Sequence, residues 1–215
     1  MESIRQDIIN VCKRLRSDGY IFGTWGNASI RLEDGDILLT PSRVDYDVMR
    51  PEDLVVLGPD GNRVSGTCVA TSERELHLGI FRARQDVNAI IHTHSTYAMA
   101  VAAIDGGIPP ISEEMCQLIG GGIPLTEFFV PSEHHSNLST AVVDAIGDKN
   151  ALLIRNHGVI CCGKSLGEAE ICCHVTEKSS QMYLALLSSG QIINNIERKY
   201  IEMERQYYLG VYGKT

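Results

Sequence analysis

The apolar run from Val87 ends in His92-Thr93-His94, and this ending constrains the chain more than any other feature. In a strand, side chains alternate faces with period two, so His92 and His94 point the same way. Two imidazoles side by side at a strand end suit a divalent cation. A third imidazole and a carboxylate complete the four-ligand set that zinc takes, and such a set is catalytic when one position opens. His157 follows the apolar run Ala151–Ile154 and precedes Gly158, and Glu73 opens a predicted helix. Each has a plainer reading: a buried histidine satisfied by a carbonyl, and a carboxylate favoured at a helix start by the macrodipole. Their joint occurrence at the ends of adjacent core elements carries the metal reading.

The remaining pattern predicts a single domain over residues 1–215 with helices and strands mixed. Ile4, Ile8, Val11, Cys12 and Leu15 recur at helical spacing and predict a first helix over about 3–17. Asp34-Gly35 and Pro59-Asp60-Gly61 sit between short apolar runs and predict two hairpins. Hairpins in the first third imply antiparallel pairing and argue against a doubly wound parallel sheet. Ser72 with Glu75, and Ser165 with Glu168, read as capping boxes opening helices over 72–84 and 165–189. Further helices are expected over 97–103, 137–146 and 194–208, and strands over 151–155 and 158–162.

Composition narrows the partners. With 19 Lys and Arg against 27 Asp and Glu, the net charge is −8, which disfavours nucleic acid and membrane surfaces. No apolar run approaches the ~18 residues a membrane span needs, and Met1–Gln6 reads as the lead into a helix, not as a signal sequence. The seven cysteines form no C-x-x-C pair and read as small buried hydrophobes in a reducing cytoplasm.

An acidic protein can still hold a local anion pocket. Thr71 and Ser72 precede Glu73 at a helix start, where free N–H groups accept phosphate. The loop Gly23–Asn27 offers more N–H donors and the Asn27 side chain. An anion site beside a metal ligand implies a small phosphorylated substrate.

Five segments together carry a family resemblance: Gly23-Thr-Trp-Gly-Asn-Ala-Ser29, Leu39-Thr-Pro-Ser42, Thr71-Ser-Glu-x-x-x-His77, His92-Thr-His-Ser95 and Asn156-His-Gly-Val159. In order and spacing, to about residue 190, the chain resembles the class II aldolase/adducin family, and within it the L-fuculose-phosphate aldolases. The resemblance implies a three-layer αβα domain with a mainly antiparallel sheet, usually a cyclic homotetramer with active sites between subunits. It implies Zn2+ (or Co2+ or Mn2+) on Glu73, His92, His94 and His157, with Glu73 also the acid/base. It implies phosphate held by Gly26, Asn27, Ser42, Arg43, Thr71 and Ser72. The implied reaction cleaves a ketose 1-phosphate to dihydroxyacetone phosphate and an aldehyde.

Two departures bear on specificity. Arg43 stands where relatives usually have glycine. Ser112-Glu113-Glu114-Met115 stands where the fuculose-phosphate enzymes have a tyrosine proton donor. Glu114 is therefore a candidate acid, against the plain reading of a solvated acidic turn. Tyr207, Tyr208 and Tyr212 are candidates to reach a neighbouring subunit's site, and His77 to support the metal ligands or simply pack. His134, His135 and His174 read as surface or helix-face residues. The expected substrate is L-fuculose 1-phosphate or a 5-deoxy- or 5-methylthio-pentulose 1-phosphate. The alternatives are a dehydratase, epimerase or decarboxylase on the same scaffold, and a non-catalytic adducin-like scaffold.

Overall fold

Ile8, Ile9, Val11, Cys12 and Leu15 form one buried stripe along the first helix, α1 (Glu2–Ser17), which lies against a central sheet. The computed structural model describes residues 2–210. Its strands are β1 (Asn27–Arg31), β2 (Ile37–Leu39), β3 (Val55–Leu57), β4 (Arg63–Ser65), β5 (Ala89–Thr93), β6 (Ala151–Ile154) and β7 (Gly158–Gly163). They pair in the order β4-β3-β2-β1-β5-β7-β6, every pair antiparallel. The turns use the expected chemistry: Asp34 and Asp60 side chains each accept the N–H two residues on, with Gly35 and Gly61 at positive φ.

Alternation divides the apolar side chains between two cores. Ala28, Ile30, Ala89, Ile91, Leu153 and Cys161 face α1, α3 (Thr96–Ala102) and α5 (Leu166–Ser189). Leu39, Val55, Ile90, Leu152 and Ile160 face α2 (Arg74–Ala83) and α4 (His135–Ile146). Helices cover both faces, giving the expected three αβα layers. A last helix, α6 (Arg198–Gly210), packs on a π-helical turn at Met115–Ile119 that the sequence pattern did not predict. All seven cysteines are free; six are buried and Cys68 is half-buried. No helix among the described residues is long and apolar enough to cross a membrane.

The Ser72–Glu75 capping box is not formed. Glu73 occupies the N-cap of α2 without a side-chain cap bond, because its carboxylate turns into the polar centre described below. At α5 the box is half made: Ser165 accepts from the Glu168 N–H, but the Glu168 carboxylate accepts from Lys164 N–H. Gly190 ends α5 in the left-handed conformation that glycine enters without strain.

Candidate active site

Pairing register brings the imidazoles together. His92 lies opposite Asn27 on one side and Ile160 on the other, all on the face covered by α2. His94 follows two residues on, past the end of β5. His157 sits in the three-residue hairpin loop between β6 and β7, where Asn156 takes a positive φ of 54°. Gly158 keeps this corner tight: a Cβ there would lie 2.6 Å from Thr93 O and 2.9 Å from His92 Cε1. His92, His94 and His157 each bring one ring nitrogen within 4.8 Å of the others.

The protonation of His92 and His94 suits a cation. The Nδ1–H of His92 donates to Val159 O at 2.8 Å, leaving the Nε2 lone pair toward the cluster. Burial pushes His92 below its ordinary pKa, and burial with its two imidazole neighbours drops His94 to about 3. Glu73 closes the group, with Oε1 at 3.0 Å from His157 Nε2 and Oε2 at 3.3 Å from His92 Nε2. Burial alone would raise its carboxyl. The imidazoles of His92 and His157 and the Asn27 amide win, holding it well below the usual carboxylate range. That attraction belongs to the protonated ring in acid; above its lowered pKa His92 is neutral and turns a lone pair to the Glu73 carboxylate, a contact that a shared cation would stabilise. Glu73 Oε1 is buried and has no hydrogen-bond partner. Three imidazole nitrogens and this oxygen are the donor set a four-coordinate Zn2+ takes, and one that Co2+ or Mn2+ also accepts.

The predicted anion residues line one cavity of ≈ 400 Å³ with Glu73, His94 and His157: Gly26, Asn27, Ser42, Arg43, Thr71 and Ser72. Backbone bonds stitch the three segments together, from Thr40 N–H to Ala28 O, Thr71 N–H to Thr40 O and Ser42 N–H to Val69 O. Gly26 has φ 108°, and a Cβ would lie 2.9 Å from the Ile21 side chain, so no other residue fits unchanged. Arg43 has φ 61°, which accounts physically for the glycine expected there. Asn27 differs from expectation in one respect: its side chain is engaged by the protein, donating to Glu73 Oε2 and accepting from His77.

A second cavity of ≈ 790 Å³ adjoins the first and shares His94 and His157. Its wall is largely apolar, with Phe22, Trp25, Met99, Phe129 and Pro131, and Ser132 borders both cavities. Phe22, Met99, Phe129 and Ser132 went unnoticed in the sequence because they come from separate loops and a helix without a shared pattern. Glu114 is not brought to this cleft within the chain. Its half-exposed carboxylate pairs with Lys178 at 2.6 Å, which lowers its pKa. The Tyr208 hydroxyl donates to Glu168 at 3.1 Å, and Tyr212 lies outside the described residues.

Comparison with known proteins gives the class. The profile of the Class II Aldolase and Adducin N-terminal domain matches residues 6–184. An L-fuculose phosphate aldolase of Methanocaldococcus jannaschii is 33% identical over 84% of this chain and 95% of its own. A 5-deoxy-D-ribulose 1-phosphate aldolase of Bacillus thuringiensis serovar kurstaki is 30% identical over 89% of each. A solved L-fuculose 1-phosphate aldolase superposes with a TM-score of 0.91 at 24% identity, covering 97% of both chains, a likeness of fold. The chain belongs to the class II aldolase and adducin family. Its named relatives put it among that family's lyases.

Proposed function

We propose that residues 1–215 act as one metal-dependent aldolase unit that cleaves a ketose 1-phosphate to dihydroxyacetone phosphate and a short aldehyde. The observation that carries this reading is the convergence of Glu73, His94 and His157, with His92 buried behind them, at the cavity that Asn27, Ser42, Thr71 and Ser72 also line. In this reading the four groups hold a divalent cation, with Zn2+ the first choice for the donor set. A cation bound there would supply Lewis-acid stabilisation of the negative charge that gathers on the C2 oxygen.

The chain's own groups do the rest. Ser42, Thr71, Ser72 and backbone N–H groups around Gly26 hold the phosphate, and Arg43 at the rim adds positive charge. That remote binding orients the C3–C4 bond for cleavage. As the bond breaks, the C4 hydroxyl passes its proton to the Glu73 carboxylate and becomes the aldehyde, and the electron pair remains on the C3 side. Glu73 delivers a proton to C3, and in the reverse direction removes it.

The apolar cavity supports the finer choice. Phe22, Trp25, Met99 and Phe129 favour an apolar end, although Thr96, Ser132, Glu133 and Asn156 share the wall; beyond C4 the 5-deoxy and 5-methylthio pentuloses carry no hydroxyl, whereas L-fuculose keeps one before its terminal methyl. We therefore place a 5-deoxy- or 5-methylthio-pentulose 1-phosphate ahead of L-fuculose 1-phosphate. A homotetramer in the cytoplasm, without nucleic-acid or membrane partners, completes the proposal and rests on the family resemblance and the acidic charge. A coupled assay for dihydroxyacetone phosphate across these sugar phosphates tests it. Release from the 5-deoxy substrate with higher kcat/KM supports the reading; loss of water without carbon–carbon cleavage replaces it with a dehydratase.

A further inference from the structure

The geometry points to His77 as a positioning residue that fixes which way the Asn27 amide faces, and so which oxygen of Glu73 is left for chemistry. Four buried side chains form one line. Ser29 Oγ lies 2.6 Å from His77 Nδ1, and His77 Nε2 lies 2.5 Å from Asn27 Oδ1. Asn27 Nδ2 lies 2.7 Å from Glu73 Oε2. Ser29 and His77 have no exposed surface, and Asn27 is 5% exposed.

Hydrogen-bond chemistry permits one direction along this line. A carboxylate only accepts, so the Asn27 nitrogen must face Glu73 and its oxygen must face His77. That oxygen needs a donor, so the imidazole proton sits on Nε2. A neutral imidazole carries one such proton, which leaves Nδ1 to accept from the Ser29 hydroxyl. Each group in the line thus sets the next. The line ends on Glu73 Oε2, while Oε1, beside His157, receives no hydrogen bond. The carboxylate therefore has one tethered oxygen and one oxygen at liberty to meet a cation or carry a proton.

Without the His77 N–H, the Asn27 amide can turn and present its oxygen to Glu73. The carboxylate then loses its tether, though the three histidines stay in place. If the line merely completed the core, His77→Leu would cost stability, because Ser29 and Asn27 lose a buried partner, but would leave kcat of the folded enzyme unchanged. The effect on turnover rests on the lyase reading above; the direction of the line does not.

Both parts are measurable. In metal-free, 15N-histidine-labelled wild-type protein, long-range 1H–15N correlation reports the His77 tautomer without any variant. We expect protonated Nε2 and bare Nδ1; protonated Nδ1 overturns the inference. In the metal-loaded enzyme, His77→Leu should lower kcat about 10–100-fold while KM for the ketose phosphate and bound metal per chain stay within about threefold of wild type. His77→Gln retains an N–H toward Asn27 and should recover most of the lost kcat. Wild-type kcat in His77→Leu at full metal content, or equal losses in the Leu and Gln variants, overturns the positioning role. Failure of the wild type to cleave any sugar phosphate would instead overturn the lyase reading, with the tautomer still decided by the spectrum.

Discussion

Glu73 Oε1 stands 3.0 Å from His157 Nε2 and, although buried, receives no hydrogen bond. A buried acceptor left unpaired costs about 1–3 kcal/mol, more when charged. A cation shared between that oxygen and the imidazoles removes the cost and adds binding energy. Removing it should leave the carboxylate pressed against the imidazole rings with no cation between them.

Chelation should therefore abolish turnover and lower thermal stability. At free metal about 100 times its Kd, binding stabilises the fold by about 2.7 kcal/mol. For a chain of this size, that corresponds to a fall of about 5–10 °C in Tm on chelation. Calorimetry before and after chelation, with metal analysis per chain, checks this. Unchanged Tm together with less than about one equivalent of retained metal would favour the non-catalytic scaffold.

Glu73→Gln keeps the size and the tether to Asn27 but removes the group that moves the proton. Turnover should fall by about 10²–10⁴-fold, with KM changed far less. Steady-state kinetics on metal-loaded protein is the measurement, and near-normal kcat would end the acid/base assignment.

Arg43→Gly should separate stability from binding. Arg43 adopts φ 61°, a conformation glycine enters without the strain of a Cβ. The variant should gain roughly 0.5–1 kcal/mol of stability and at the same time raise KM, since a positive charge leaves the rim of the phosphate cavity. Urea unfolding and kinetics read the two effects, which have opposite signs.

His77 makes the metal-free protein sensitive to acid. Burial drops its pKa to about 3 from an ordinary 6.5. Below 6.5 the unfolded chain takes up a proton that the folded chain refuses. The stabilising difference is thus complete above 6.5 and is lost as pH falls from 6.5 toward 3. His94 shifts the same way, to about 3. Between pH 6 and 4, His77→Gln should reduce the pH slope of the unfolding free energy by about 1.4 kcal/mol per pH unit, one proton's worth. Urea midpoints at several pH values supply the slope, and an identical slope in variant and wild type would refute the assignment.

Glu177 supplies a test away from the cation. From the middle of α5 its buried carboxylate accepts the N–H groups of Tyr97 and Ala98, at 2.9 Å each. These are free donors at the start of α3, whose own N-cap, Ser95, makes no side-chain cap bond. Glu177→Ala should cost about 2–3 kcal/mol and loosen the turn that carries His94. Denaturation curves measure the first effect and metal affinity the second.

Much of this protein was written in local pattern. Spacing of Ile8, Val11, Cys12 and Leu15 determined α1, Asp-Gly turns determined the hairpins, and period-two alternation put His92 and His94 on one side. Those features depend on neighbours in sequence, where dihedral preference and side-chain periodicity act. The family motifs also marked Glu73, His157 and the anion residues. Tertiary structure alone decided how they meet: the Asn27–His92 register, the buried Ser29–His77–Asn27–Glu73 line, and Glu177 capping a helix about eighty residues away. It also overrode the Ser72–Glu75 box, because the Glu73 carboxylate finds stronger partners across the sheet than in its own first turn, and kept Glu114 on Lys178 outside the cleft. Hydrogen bonds and charges act through space at distances of a few ångströms, and chain separation carries no record of them.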